Sequence, residues 1–143
     1  MEKGDQLRWL FLEASTSALS DWVSKIRAGL GEIRVHTHPR KVLSMAVAVD
    51  SLSGEPFCLG EILFTECEVV CRGQRFWGRA LLDDSFRAFA SALLEAAMAM
   101  APNVLDDIKA DLTKEKERLE KLRQKNARVL GSTRVLFETM KLT

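Results

Sequence analysis

Gly54-Glu55-Pro56-Phe57-Cys58-Leu59-Gly60-Glu61-Ile62-Leu63-Phe64-Thr65-Glu66-Cys67-Glu68-Val69-Val70-Cys71-Arg72-Gly73 decides how the chain is read. Gly54 and Pro56 open a loop, Gly60-Glu61 makes a step, and residues 59–71 form a strand-like run that stops at Arg72-Gly73. Glycine and proline punctuate a chain in this way because one admits positive φ and the other lacks a backbone donor. Arg72-Gly73-Gln74 then reads as a tight hairpin connection and residues 75–82 as the returning strand.

Upstream of this stretch, Ile33, Val35 and Thr37 share one strand face while Arg34, His36 and His38 share the other. His38-Pro39-Arg40 reads as a turn, because proline cannot donate to a ladder. Residues 42–49 follow as a further strand. Its bulky face holds Leu43, Met45, Val47 and Val49, and its small face Ser44, Ala46 and Ala48. A helix packed closely on the small face would account for the asymmetry. The total is four strands joined by short connections, which favours an antiparallel meander, since parallel neighbours need long crossovers.

Helices flank the strands. Leu7, Leu10, Phe11 and Ala14 recur at helical spacing, Ser15-Thr16-Ser17 offers an N-cap, and Leu19, Trp22, Val23, Ile26 and Leu30 continue on a second helix that ends at Gly29 or Gly31. After the strands, Asp83 or Asp84 caps a helix whose polar stripe is only Arg87, Ser91 and Glu95, the mark of a largely buried helix. Pro102-Asn103 starts another. Leu105, Ile108, Leu112, Leu119 and Leu122 step by three and four, with Glu115 the exception, and Gly131 stops it before a tail of residues 132–143. The expected class is α+β over one domain, 1–143: helices over about 6–30, strands over about 32–82, and helices over about 84–130.

Bulk properties narrow the functional classes. The chain has 143 residues, 47% of them hydrophobic, enough for a core of ordinary size. A formal net charge of +1 gives no global field to gather nucleic acid or an anionic membrane. No apolar run is long enough to span a bilayer, no signal peptide is expected, and three cysteines suggest no disulfide framework. Free thiols in the cytoplasm are the expected setting.

The residue chemistry offers no self-sufficient catalytic set. No Gly-rich loop ends in Lys-Ser/Thr, so the phosphates of ATP have no P-loop here. Cys58, Cys67 and Cys71 are too few and too widely spaced for an iron–sulfur cluster. His36 and His38 with Cys67 and Cys71 can be drawn together as a zinc set, against the plainer reading of two core thiols and two edge imidazoles, which gives no metal site. Glu66 and Glu68 share a strand face and read as solvated carboxylates. Arg75 and Arg79 share a face with Trp77 between them. Guanidinium pairs suit phosphate or phosphonate oxygens, against the alternative of a charged edge that deters strand pairing. The 105–129 stripe either lies on its own domain or pairs with another chain.

Four segments carry a family resemblance. Gly54-Glu55-x-Phe57-x-Leu59-Gly60-Glu61-x-x-x-Thr65-x-Cys67-x-Val69 resembles the PhnG subunit of carbon–phosphorus lyase, and Ser132-Thr133-Arg134-Val135-x-Phe137-x-Thr139-Met140 resembles that family's closing motif. Ala92-Leu93-x-Glu95-Ala96 is similar to its Ala-rich helix, and Arg8-Trp9 to its opening helix. The chain departs from the pattern at Pro39-Arg40-Lys41-Val42-Leu43, at Leu82-Asp83-Asp84 and at Arg87-Ala88.

The resemblance implies a subunit of the assembly in which methylphosphonate displaces adenine from ATP to give ribose 1-methylphosphonate 5-triphosphate. It implies partnership with the other subunits, above all a larger nucleosidase-like one. MgATP would be used by the assembly, with no cofactor bound by this chain alone. No catalytic residue is carried over. Gly54, Glu55, Phe57, Gly60, Glu61, Thr65, Arg134, Phe137 and Thr139 are the motif positions expected to serve structure or partner contact, with Arg75 and Arg79 as anion contacts. Isolated, the chain is expected to homodimerise. The alternative is a structural homo-oligomer that kept the fold without phosphonate activity.

Overall fold

In the computed structural model, which describes residues 3–132, the elements run α1 (Lys3–Glu13), α2 (Thr16–Leu30), β1 (Ile33–Val49), β2 (Pro56–Cys71), β3 (Gln74–Leu81), α3 (Ser85–Met100), α4 (Pro102–Asp107) and α5 (Lys109–Ser132). The class is α+β, with an antiparallel meander in the order β1-β2-β3. Among the described residues the strands number three, not the expected four. β1 runs straight through His38-Pro39-Arg40: Thr37 pairs with Glu68 and Arg40 with Glu66, so two residues of β1 stand against one of β2. That bulge on an edge strand is where a residue without a backbone donor is tolerated.

The local signals explain the element ends. Ser15 caps α2, its Oγ accepting the Ala18 N–H at 3.3 Å. Asp84 caps α3, its Oδ1 accepting the Arg87 N–H at 2.8 Å. Arg72 and Gly73 both have positive φ, the two-residue turn whose twist matches a hairpin. Beyond α3 the sequence pattern misled in two places. The chain turns at Ile108, which places that side chain in the core at 0% exposure and divides the expected single helix into α4 and α5. α5 then continues through Gly131 to Ser132.

One face of the sheet carries the helices. α3 crosses β2 and β3, burying Ala88, Ala92, Leu93, Leu94, Ala96 and Ala97. At Gly78 of β3 it comes so near that a Cβ there would collide with the Ala88 carbonyl oxygen and the Ala92 backbone nitrogen. α1, α2 and α4 pack against α3, with the Phe11 and Trp22 ring centroids 5.3 Å apart. Each large side chain buried here contributes about 1.5–3 kcal/mol. The polar stripe of α3 faces α1 rather than water: Arg87 donates to the carbonyls of Phe11 and Ala14, at 2.7 and 3.1 Å, and Glu95 receives Arg8 at 2.6 and 3.0 Å.

The sheet outruns its cover. β3 pairs with β2 only from Phe64 to Cys71, whereas β1 and β2 stay paired as far as Val49 and Pro56. Residues 42–63 therefore form a two-stranded arm. No helix among the described residues covers its small face as expected, because the Ala-rich surface of α3 sits over Gly78 instead. Leu43, Met45, Val47 and Val49, the bulky face, are 57–66% exposed.

Candidate functional site

The sheet face opposite the helices gathers most of the strand charges. Its centre is a pair of carboxylates on β2, Glu66 and Glu68, with 7% and 2% exposure. They are buried, not solvated as the alternating pattern suggested. Their neighbours explain it. Glu68 lies across from Thr37 on one side and Trp77 on the other, and Glu66 across from Arg40 and Arg79. Long side chains from both flanking strands lie over them.

Buried carboxylates are stable only when charge and hydrogen bonds replace the lost water. Arg40 supplies both to Glu66, donating from Nε at 3.0 Å and Nη2 at 2.7 Å to the same oxygen. Arg79 Nε stands 3.8 Å from the other oxygen. Glu68 is held less completely. Its Oε2 accepts from Thr37 Oγ1 at 3.1 Å, with His36 Nε2 at 3.7 Å. Its Oε1 is buried without a hydrogen bond, and Arg75 Nη1 lies 3.6 Å away. The side chains of Arg75 and Arg79 are 62% and 68% exposed, so these guanidinium groups face a carboxylate on one side and solvent on the other. Such a layer can receive an anion on its outer surface, with Trp77, 44% exposed, between the two arginines.

The structure separates the drawn zinc set. His36 reaches toward Glu68 on the open face, while Cys67 and Cys71 are fully buried. Burial, and then the charge of Glu68, pushes the Cys67 thiol up from its ordinary pKa. Among the described residues no group of three His, Cys, Asp or Glu side chains is placed to hold a metal ion. No described helix is long and apolar enough to cross a membrane. A cleft of about 560 Å³ between α2 and α5 is lined by Trp22 and by the charged side chains of Asp21, Lys25, Asp111, Lys114, Glu115 and Arg118, four of which close in pairs: Lys25 Nζ is 2.7 Å from Asp111 and Arg118 Nη2 2.7 Å from Glu115.

The motif positions divide between the arm and its root. Gly54, Glu55, Phe57, Gly60 and Glu61 all lie in the arm. Gly54 N–H donates to Asp50 O at 3.0 Å, closing the loop at the tip. Gly60 has φ of 147° where Cys58 and Gly60 pair with the adjacent residues Val47 and Ala46, so Leu59 is a bulged residue. Phe57 is 47% exposed, and Glu61 lies opposite Met45. Thr65 is the root. Its hydroxyl donates to Leu82 O at 2.7 Å and accepts from Asp84 N at 3.1 Å, fixing the turn from β3 into α3. Arg134, Phe137 and Thr139 lie outside the described residues. Sequence reasoning missed Arg40, because a presumed turn hid its place opposite Glu66. It also missed the arm, although residues 42–49 carry no charge at all.

Segments noted as similar or as departing in sequence meet in space. Arg8 and Glu95, from the opening helix and the Ala-rich helix, are bound to each other. Lys41 and Asp83, from two departing segments, form an ion pair at 2.7 Å. Arg87, in the third, joins the end of α1 to the Asp84 cap. Three of the departing segments thus touch one another through Lys41, Asp83, Asp84 and Arg87, while a fourth departure, Leu136, lies outside the described residues. No curated protein matches the sequence. A family model described as phosphonate metabolism protein PhnG matches residues 5–141, nearly the whole chain, and the chain belongs to the PhnG family.

Proposed function

We propose that this chain is a subunit of the carbon–phosphorus lyase assembly and supports the step in which methylphosphonate displaces adenine from ATP. In that step a phosphonate oxygen bonds to the anomeric carbon of the ribose. The N-glycosidic bond breaks, its electron pair leaves with adenine, and the product is ribose 1-methylphosphonate 5-triphosphate. The larger nucleosidase-like subunit supplies the reacting groups, and MgATP enters as a substrate of the whole assembly. This chain contributes shape, docking surface and, through Arg75 and Arg79, a cationic face for a phosphonate or phosphate group.

Family membership over residues 5–141 carries this reading. The layout of the charged side chains supports it. Arg40, Arg75, Arg79 and His36 all converge on Glu66 or Glu68, an arrangement suited to holding a surface rigid. The test is reconstitution from separately purified subunits, with adenine release followed by chromatography. Release is expected from the complete set, and neither from this chain alone nor from the set lacking it. Full-rate release without this chain would overturn the reading.

A further inference from the structure

We propose that the arm of residues 42–63 is the element by which this chain docks, its free β1 edge adding as a strand to an apolar surface rimmed by lysine and arginine on the larger subunit. This rests on the subunit reading above and names the surface that reading leaves open.

Large apolar side chains cover the arm. Leu43, Met45, Val47, Val49 and Leu59 are 57–67% exposed, Leu52 at the tip is 97% exposed, and Phe57 is 47% exposed. They are spread over both faces and the tip, since Phe57 stands opposite Ala48 and so away from the face of Met45 and Val47, and so many large apolar side chains open to water on one element mark an interaction surface. A lone two-stranded hairpin is also marginal in water and gains stability from a third strand or a packed layer. Beyond Leu63, whose carbonyl accepts from Leu82 N, the arm has neither among the described residues.

The edge chemistry changes abruptly along β1. Where β1 borders the covered sheet it carries Arg34, His36, His38, Pro39, Arg40 and Lys41, the residue types that keep an edge from pairing. From 42 to 49 it carries no charge and no proline. At roughly 3.3 Å per residue this open edge is about 25 Å long, a full strand's length for addition to another sheet.

Charge selects the occupant. The only ionisable acids or bases of the arm besides the Cys58 thiol are Asp50, Glu55 and Glu61, all carboxylates. Asp50 accepts the N–H groups of Leu52 and Ser53 at 2.7 and 2.9 Å, which hold its pKa below the usual range. Arm against arm in a second copy would offer as cations only Arg40 and Lys41 at the root, already paired with Glu66 and Asp83 at 2.7 Å each, and none for Glu55 or Glu61. A heterologous surface with a basic rim satisfies all three while covering the apolar face.

The test uses the full chain and the larger subunit, purified separately and titrated. Wild type is expected to bind. Met45→Lys with Val47→Lys is expected to weaken binding at least about 100-fold, with melting unchanged because both side chains already face water. Glu55→Lys with Glu61→Lys is expected to weaken binding and to reduce its salt dependence. In the wild-type complex, amide exchange over 42–49 is expected to slow. Binding by the Met45/Val47 variant at wild-type affinity, or unprotected 42–49 amides in the complex, would overturn the arm as the docking element and leave the subunit reading intact. No binding by wild type would overturn both. A wild-type homodimer that the Met45/Val47 variant splits would show a second copy as the occupant and overturn the choice of partner.

Discussion

Glu115 Oε1 accepts the main-chain N–H of Ser15 at 2.8 Å, pinning the N-terminal part of α5 to the corner between α1 and α2. The same carboxylate receives Arg118 at 2.7 and 2.8 Å. This accounts for the acidic exception in an apolar stripe: the residue faces the body, 8% exposed, and meets the capping residue of α2. The Arg118 hydrogen bond foremost, aided by Ser15 and opposed by burial, lowers the Glu115 pKa from 4.5 to about 2.

A depressed carboxylate pKa gives stability that is complete above the unfolded value and lost as pH falls through the folded one. Stability should therefore decline between about pH 4.5 and pH 2, with Glu115 contributing about 1–2 kcal/mol once the half-exposure of Arg118 is discounted. Asp111, lowered by its hydrogen bond to Lys25, acts in the same direction. Glu115→Gln should lower stability at pH 7 and flatten this acid limb. Urea melts at pH 7, 4 and 2.5 measure both, and an equal slope in variant and wild type would refute the assignment.

Gly78→Ala should be among the most damaging small changes in the chain. The added methyl meets backbone of α3 at Ala88 and Ala92, which cannot rotate away. Moving the helix would disturb Leu93 and Leu94 beneath it, so the expected loss is about 3 kcal/mol or more. Leu93→Ala, which leaves a cavity instead of a clash, should cost about 2–5 kcal/mol. Chemical denaturation of both variants tests the closeness of this packing, and a Gly78→Ala loss below about 1 kcal/mol would contradict it.

Much of this geometry was legible because the signals are local. Ser15 and Asp84 are side-chain caps, Arg72-Gly73 is a turn chemistry, and the narrow stripe Arg87, Ser91, Glu95 marks a buried helix. What failed depended on partners distant in sequence. Pro39 looks like a chain reversal until β2 shows that a bulge takes up its missing donor. Glu66 and Glu68 look solvated until Arg40 and Thr37 are placed across from them. The even apolar texture of 42–49 reads as buried strand, since the sequence carries the hydrophobicity but not the exposure of Leu43, Met45, Val47 and Val49. The Arg75 and Arg79 cluster was visible as two arginines on one face, and the carboxylates it stands over were not.

Thr65→Val should destabilise the turn between β3 and α3 specifically. The hydroxyl is buried and serves Leu82 O and Asp84 N together, and Leu82 holds a φ of 62° that few side chains adopt willingly. Valine keeps the shape and removes both bonds, for an expected cost of about 1–3 kcal/mol. Thr65→Ser should recover most of it. Amide exchange at Asp84 and Arg87 should quicken in the valine variant. If serine is no better than valine, methyl packing rather than the hydroxyl accounts for the residue.

Arg75→Ala combined with Arg79→Ala separates the two tasks of the open sheet face. Arg40 keeps its two-donor grip on Glu66, and Glu68 keeps Thr37, so both carboxylates retain hydrogen bonds. Arg79, beside a Glu66 that Arg40 already holds, should then add no more than about 1 kcal/mol to stability, and Arg75, the nearest guanidinium to buried Glu68, somewhat more. If their outward nitrogens bind a phosphonate or phosphate group, the proposed assembly should show a raised KM for that substrate, roughly tenfold, a modest loss of two charge-assisted hydrogen bonds. Thermal melts of the chain and steady-state kinetics of the assembly are the two measurements. An unchanged KM beside unchanged melting would confine Arg75 and Arg79 to screening Glu68 and Glu66. A large melting loss with the KM unchanged would make them structural counter-ions for carboxylates that Arg40 and Thr37 cannot hold unaided.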